Sequence, residues 1–169
     1  MVDFGGSYSI PKPIMSGVKS LKVTASTSTF SITSTQTFGD LSAYTTVASG
    51  QPTSGTVGLW IFCAAGEVTS ATLRIGSSAS DYAEVAGVMP YPGTYSTVDG
   101  WNYVVFRLKN STVTGTPSWA AVDYAKITFT SGTTPVLNVD YFTIGYGDVI
   151  GLNGLGDGHT IYSTETETF

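Results

Sequence analysis

Short runs of β-forming residues, bounded by glycine, proline, asparagine, aspartate or serine, recur along the chain. In residues 20–26, Leu21 and Val23 alternate with Lys22, which is the period of a strand with one buried face. Residues 55–65 are apolar almost throughout, which predicts a central strand. The other predicted strands cover residues 28–35, 70–77, 82–88, 101–108, 124–131 and 136–145. Short strands at this spacing, separated by turn residues, predict an all-β fold, an antiparallel β-sandwich with jelly-roll topology.

The two ends of the chain differ from this strand region. Residues 1–17 combine paired glycines with two prolines, which favour extended chain, and residues 146–169 hold five glycines. We therefore divide the chain into an extended N-terminal arm (1–17), a β-sandwich domain (18–145) and a Gly-rich C-terminal tail (146–169). Such ends are mobile unless something ties them down, so we expect both to dock on a partner chain. The predicted docking residues are Phe4, Tyr8, Ile10, Ile14, Ile161, Tyr162 and Phe169.

Composition narrows the class of partner. The chain has 169 residues, of which 41% are hydrophobic and 11% are charged, so it holds material for one core in one domain. Its net charge is −5 and its seven Lys and Arg residues are scattered, so no basic cluster can neutralise phosphates. This argues against nucleic acid and against an anionic membrane surface as partners. No run approaches the ~20 apolar residues of a transmembrane helix.

Residues suited to catalysis are present but not in catalytic patterns. His159 is the only histidine, and it lies in a glycine-rich segment without zinc-ligand spacing. The carboxylates of the strand region are in no acid–base motif, and capping of turns is their default role. We therefore expect no enzyme and no cofactor, with one metal left open, a structural Ca²⁺ bound by Asp81, Asp123 and Asp140.

Three side chains are assigned to the core or its ends. Cys63, the sole cysteine, lies in the apolar run "LWIFCAA", which predicts an inert buried thiol. Trp60 lies in the same run and is expected in the core. Trp119 follows Pro117 in a short connecting turn and is expected to close one end of the sandwich.

Aromatic residues supply the candidate contact surface. In the predicted strand 101–108, Val104, Phe106 and Leu108 face the core, which leaves Trp101 and Tyr103 on the opposite face in need of a cover. Residues 87–100 form a loop with two prolines and two tyrosines, and rigid exposed loops commonly carry binding residues. The candidate residues for contact with a glycan or a protein partner are Tyr82, Tyr91, Tyr95, Trp101 and Tyr103.

The strand region resembles a known kind of module. It contains, in order, "LWIFC", "SATLRIGSSASDY", "DGWNYVVFRLKNSTVTGTPSWAAVDYAKITF" and "VDYFTIG", within residues 55–145. This order is similar to that of carbohydrate-binding-module or galactose-binding-like jelly rolls, which occur in polysaccharide-acting enzymes and in tailed-phage virion proteins. The resemblance implies that Trp101 and Asn102 open a sheet strand. It also implies that Trp119, Asp123 and Tyr124 close one end of the sandwich, and that Asp81 and Tyr82 follow a strand in a loop.

Two functions are consistent with this resemblance. We expect neither a secretion signal nor a catalytic domain with this module, which suits a virion component made in the host cytoplasm. The leading hypothesis is a non-enzymatic structural virion protein, a capsid decoration or cement protein of a tailed phage. Its partners would be neighbouring capsid or other virion subunits, and it would form a homo-oligomer such as a trimer. The alternative is a carbohydrate-binding module or virion adhesin that binds glycans through its aromatic residues.

Overall fold

The chain folds into antiparallel β-sheets. The computed structural model describes residues 20–34, 37–90 and 96–145, together with the backbone of residues 159–160. Among these residues the one helical segment is a 3-10 turn at Leu108–Asn110. The strands are β1 (Leu21–Thr24), β2 (Thr29–Ser34), β3 (Val47–Ala48), β4 (Gln51–Pro52), β5 (Thr56–Cys63), β6 (Val68–Gly76), β7 (Tyr82–Ala86), β8 (Gly100–Arg107), β9 (Thr112–Thr114), β10 (Tyr124–Ser131), β11 (Val136–Gly145) and β12 (His159–Thr160).

Two five-stranded sheets make up the fold. The first has the order β1-β11-β5-β8, and β12 also pairs with β11. The second has the order β2-β10-β6-β7-β9, and β3 and β4 form a separate hairpin. Every strand pair is antiparallel. The arrangement is that of a β-sandwich, as the sequence predicted.

One hydrophobic core joins the two sheets. Strand alternation turns Leu59 and Phe106 of the first sheet inward, and Leu73 and Phe129 of the second, all of them without exposed surface. Burying a side chain of this size contributes roughly 1.5–3 kcal/mol, so these inner faces are the main source of stability. Trp119 belongs to the same core cluster at 7% exposure, and its carbonyl accepts a hydrogen bond from the Leu41 N–H at 2.7 Å. Trp119 is thus buried in the core, and its expected place at one end of the sandwich stays a prediction.

The strand predictions are confirmed, and short pairings were missed. All eight predicted strands are present, and 124–131 and 136–145 match β10 and β11 residue for residue. β5 is an interior strand, as its apolar run predicted. The strands β3, β4, β9 and β12 have two or three residues each, too few for a periodicity to develop.

The predicted arm and tail fall outside the described residues, apart from the backbone pairing of β12. The predicted docking residues Phe4, Tyr8, Ile10, Ile14, Ile161, Tyr162 and Phe169 lie there too.

Candidate binding surface

Four aromatic side chains form one cluster on the outer face of the first sheet. In β5 and β8 the alternate residues Trp60, Phe62, Trp101 and Tyr103 point away from the core. The strand register places Trp60 opposite Tyr103 and Phe62 opposite Trp101. The ring centroids of these pairs are 4.9 Å and 5.5 Å apart, within the range of favourable aromatic pairs. We call these four residues the aromatic cluster.

The rings of the cluster are tilted against each other. Trp60 and Tyr103 meet at 37°, and Phe62 and Trp101 meet edge to face at 74°. The cluster is therefore a ridge of packed rings and not a set of coplanar ring faces.

Tyr103 is the buried member of the cluster. It is 5% exposed, whereas the other three side chains are half-buried. The end of its ring lies over Gly58, where a Cβ would overlap the Tyr103 hydroxyl. The absence of a side chain at Gly58 thus leaves room for the Tyr103 ring, which also packs against Trp60. The cover that Trp101 and Tyr103 require is supplied in part by β5 of the same sheet.

Polar residues of β11 border the aromatic cluster. Asn138 is opposite Phe62 and Asp140 is opposite Trp60 in the register of β5 and β11. The Asn138 side-chain amide donates to the Ser20 hydroxyl at 3.0 Å, and the Asp140 carboxylate accepts from the Tyr141 N–H at 2.7 Å. One border of the cluster is therefore polar and held by local hydrogen bonds.

The turn before β8 is organised by Asn102. Its Oδ1 accepts the Val98 N–H at 2.8 Å, and its Nδ2 donates to the carbonyls of Val98 and Gly100, both at 2.9 Å. Gly100 has a φ of +98°, which side-chain-bearing residues rarely adopt, and Asp99 accepts the Ala65 N–H at 2.8 Å. Asn102 itself is 1% exposed. Asn102 therefore has the structural role at the start of a strand that the resemblance implied.

Cys63 is a core thiol, as predicted. It ends β5 with 3% exposure, and the Asn102 amide lies 3.6 Å from its sulfur. Burial raises the pKa of the Cys63 thiol, although a hydrogen bond with the Thr97 side chain offsets part of the rise. The neutral thiol is poorly nucleophilic, so Cys63 contributes packing and no reactive group.

Tyr82 is not part of the aromatic cluster, because it belongs to the second sheet. There it lies 6.4 Å from the Tyr124 ring, and the Arg74 guanidinium is 4.7 Å from its centroid. Arg74 also forms an ion pair with Glu84, whose hydrogen bond raises the pKa of the arginine above its usual value. These contacts give Tyr82 a place in a cation–π network of its own sheet.

The five residues predicted to contact a glycan or a protein partner do not form one surface. Trp101 and Tyr103 lie together, Tyr82 lies on the other sheet, and Tyr91 and Tyr95 are outside the described residues. Sequence reasoning missed Trp60 and Phe62, and the expectation that Trp60 is in the core was wrong. The available signal was the two-residue period of β5, in which Trp60 and Phe62 have the same parity as Gly58 and alternate with Leu59 and Ile61.

The three aspartates that were left open as Ca²⁺ ligands are accounted for separately in the structure. Asp81 accepts the Thr116 N–H at 2.9 Å and the Ser78 hydroxyl at 2.8 Å, and these bonds lower its pKa. Asp140 lies on the first sheet and Asp123 is exposed in the segment before β10. In residues 20–34, 37–90 and 96–145 no three or more His, Cys, Asp or Glu side chains are grouped as metal ligands. Asp81 thus joins two loops, in the turn-capping role expected of it by default.

Comparison with known proteins identifies no relative. No protein-family model matches the chain, and neither the curated proteins nor the solved structures include a significant match. In the part of the chain that the structure describes, no helix has the length and hydrophobicity needed to cross a bilayer.

Proposed function

We propose that this chain is a non-enzymatic structural protein that docks onto a protein neighbour through the aromatic cluster. The observation that carries the proposal is the geometry of Trp60, Phe62 and Trp101, which are half-buried and tilted against one another. Aromatic side chains of this kind are enriched at the centres of protein interfaces, where a partner completes their burial.

Ring tilt favours a protein over a glycan as the occupant. A sugar ring stacks on an open aromatic face, but the Trp101 and Phe62 rings meet edge to face. Tyr103, a predicted stacking residue, is covered within its own sheet. A protein surface fits a ridge of tilted rings because its side chains can fill the gaps between them. Each Å² of apolar surface that such a partner covers contributes roughly 25 cal/mol before entropic costs.

The setting we propose is the virion of a tailed phage, where the chain would be a decoration or cement protein. This follows the resemblance of residues 55–145 to virion jelly rolls. The strand order supports a jelly-roll topology, because β5 and β6, β7 and β8, and β10 and β11 each pass from one sheet to the other. The arm and the tail would extend the contact with neighbouring subunits, so deletion of residues 1–17 should weaken incorporation.

The experiment is a binding assay on particles. Mass spectrometry of purified particles from the source culture should detect the chain in many copies. Particles depleted of the chain should then bind the added wild-type protein and bind the Trp60→Ala/Trp101→Ala variant at least about tenfold more weakly. Tyr124→Ala, on the second sheet, is the matched control and should bind as the wild type does. Absence of the chain from particles, or equal binding of the variants, contradicts the proposal.

A glycan-binding role is the second candidate, favoured by one observation. Asp140, which is half-buried, lies in register beside Trp60, and a carboxylate next to an aromatic ring can hydrogen-bond sugar hydroxyls. A glycan array with the wild-type chain and Trp101→Ala separates the two functions. Array binding that disappears in Trp101→Ala, with no binding to particles, would replace the protein partner by a glycan.

A further inference from the structure

Within residues 20–34, 37–90 and 96–145, β2 forms an edge of the second sheet, because it pairs with β10 on one side only. Its sequence, "TFSITS", has no charged residue and no proline. Edge strands of native proteins are commonly protected by lysine, proline, bulges or a covering element. The residues opposite β10 follow one unbroken register from Thr29 to Ser34. β2 is thus a regular edge strand whose backbone can serve as a template.

The alternation of hydrogen-bonded residues between β2 and β10 shows which backbone groups of β2 point away from β10. The Ser131 N–H donates to the Ser28 carbonyl at 2.8 Å, in the same register as the paired strands. Since hydrogen-bonded residues alternate in an antiparallel ladder, Thr29, Ser31 and Thr33 direct their N–H and C=O groups away from β10. Among the described residues, Ser31 and Thr33 make no backbone hydrogen bond on that side. The Thr29 carbonyl accepts the Thr27 hydroxyl at 2.6 Å and keeps a second lone pair.

The side chains of β2 are complementary to those of a second copy. An antiparallel pair centred on Ser31 places Ser31 opposite Ser31 and Thr29 opposite Thr33, with two hydrogen bonds between the members of each pair. Their hydroxyl side chains are exposed on the outer face, where cross-strand Thr and Ser pairs are favourable. On the inner face Phe30 meets Ile32, and both are only partly buried in the single chain.

We propose that two copies of this chain pair through β2 about a two-fold axis at Ser31. The second sheets of the two copies then join into one continuous ten-stranded sheet, twice the five strands of one copy. A second copy is the occupant because one register satisfies the outward backbone groups and completes the burial of Phe30 and Ile32. The net charge of −5 does not oppose the contact locally, since β2 carries no charge. This interface uses the second sheet and is independent of the aromatic cluster.

Charge substitution at the two-fold axis tests the proposal. Ser31 is exposed, so Ser31→Lys and Ser31→Glu should fold as the wild type does. Each variant alone places like charges opposite each other, which should raise the dimer Kd by about fivefold. An equimolar mixture of the two pairs Lys with Glu and should restore the wild-type Kd. The measurements are sedimentation equilibrium of the full chain and native mass spectrometry with one variant isotope-labelled.

Thr72→Lys is the matched control. Thr72 lies in the same row of the outer face, two strands from β2, so the added charge should leave the dimer unchanged. A wild-type chain that is monomeric at every concentration overturns the proposal, because the edge is then left open or filled by the chain's own residues. A dimer insensitive to Ser31→Lys and Ser31→Glu overturns it too. Loss of the dimer in both variants without recovery in the mixture also overturns this two-fold register.

Discussion

Replacement of Asn102 should uncouple the turn before β8 from the sheet. The side-chain amide bonds the backbone of Val98 through both an acceptor and a donor, and it also donates to the Gly100 carbonyl. Aspartate has the same shape but cannot donate when it is ionised. Asn102→Asp therefore keeps the bond from the Val98 N–H and directs a negative oxygen at two carbonyl oxygens.

The magnitude follows from these three bonds. At about 1 kcal/mol net for each, Asn102→Ala should lower the free energy of unfolding by about 3 kcal/mol. For a chain of this size that corresponds to a decrease in Tm of about 6–12 °C. Asn102→Asp should cost at least as much at pH 7, because it introduces a carboxylate at a site that is 1% exposed in the wild type.

The sign of the pH dependence separates this explanation from a simple loss of packing. Burial and the two carbonyls raise the pKa of the introduced carboxyl above its unfolded value of about 3.9. Between these two pKa values the folded state binds more protons than the unfolded state, so stability falls as the pH rises. The Asn102→Asp variant should therefore regain stability relative to the wild type as the pH is lowered from 7 towards 4.

Urea unfolding at pH 7 and at pH 4.5, followed by tryptophan fluorescence, measures both effects. Asn110→Asp is the control, because Asn110 is exposed in the 3-10 turn and its replacement should change stability by less than about 0.5 kcal/mol. If Asn102→Asp and Asn110→Asp lose the same stability at pH 7, the proposed role of the Asn102 hydrogen bonds is wrong.

Three further predictions concern loops and the core. Gly76→Ala should lower the free energy of unfolding, measured by urea titration, by about 2–3 kcal/mol, because the added Cβ would overlap the backbone of Asp81. Gly132→Ala is the control and should be neutral, because a Cβ there meets nothing within 4 Å. If the two variants lose the same free energy of unfolding, the steric explanation is wrong. Hydrogen bonds lower the folded-state pKa of Asp81, so its contribution is present above the unfolded pKa of about 3.9 and is lost as the pH falls through the folded value. Asp81→Asn should accordingly flatten the acid limb of the stability profile, and an unchanged limb would show that Asp81 is not its source. Cys63 should react with a thiol reagent only as fast as the protein opens, and fast labelling of the native chain would refute its burial.

The positions of the long strands along the chain were predictable because the signals for each strand lie in its own residues and in the turns beside it. Each long strand shows its period within its own residues, and turn residues mark its ends, so β10 and β11 could be bounded without tertiary information. The pairing of the strands in the sheets could not be predicted in this way. β5 lies between β8 and β11, which are distant in sequence, and no periodicity within β5 specifies those neighbours.

The membership of the aromatic cluster depends on that pairing. Trp101 and Tyr103 could be assigned to an outer face from β8 alone, but their partners come from β5 through the register. Residues 55–65 read as a continuous apolar run, which concealed the alternation that places Trp60 and Phe62 outside. Tyr82 was grouped with Trp101 because both are aromatic, and only the assignment of β7 to the second sheet separates them.

The members of the aromatic cluster differ in exposure, and this difference separates the residue that is buried within the chain from those that a partner could reach. Tyr103 is 5% exposed and lies between Gly58 and Trp60, so its contacts are complete within one chain. Trp101 touches Phe62 edge to face and stays half-buried, so part of its ring is open to a neighbour. Under the proposed function, this remaining apolar surface is what a partner would cover. The proposed contact surface is therefore centred on Trp101, Phe62 and Trp60, with Tyr103 as the buried member that packs against Trp60.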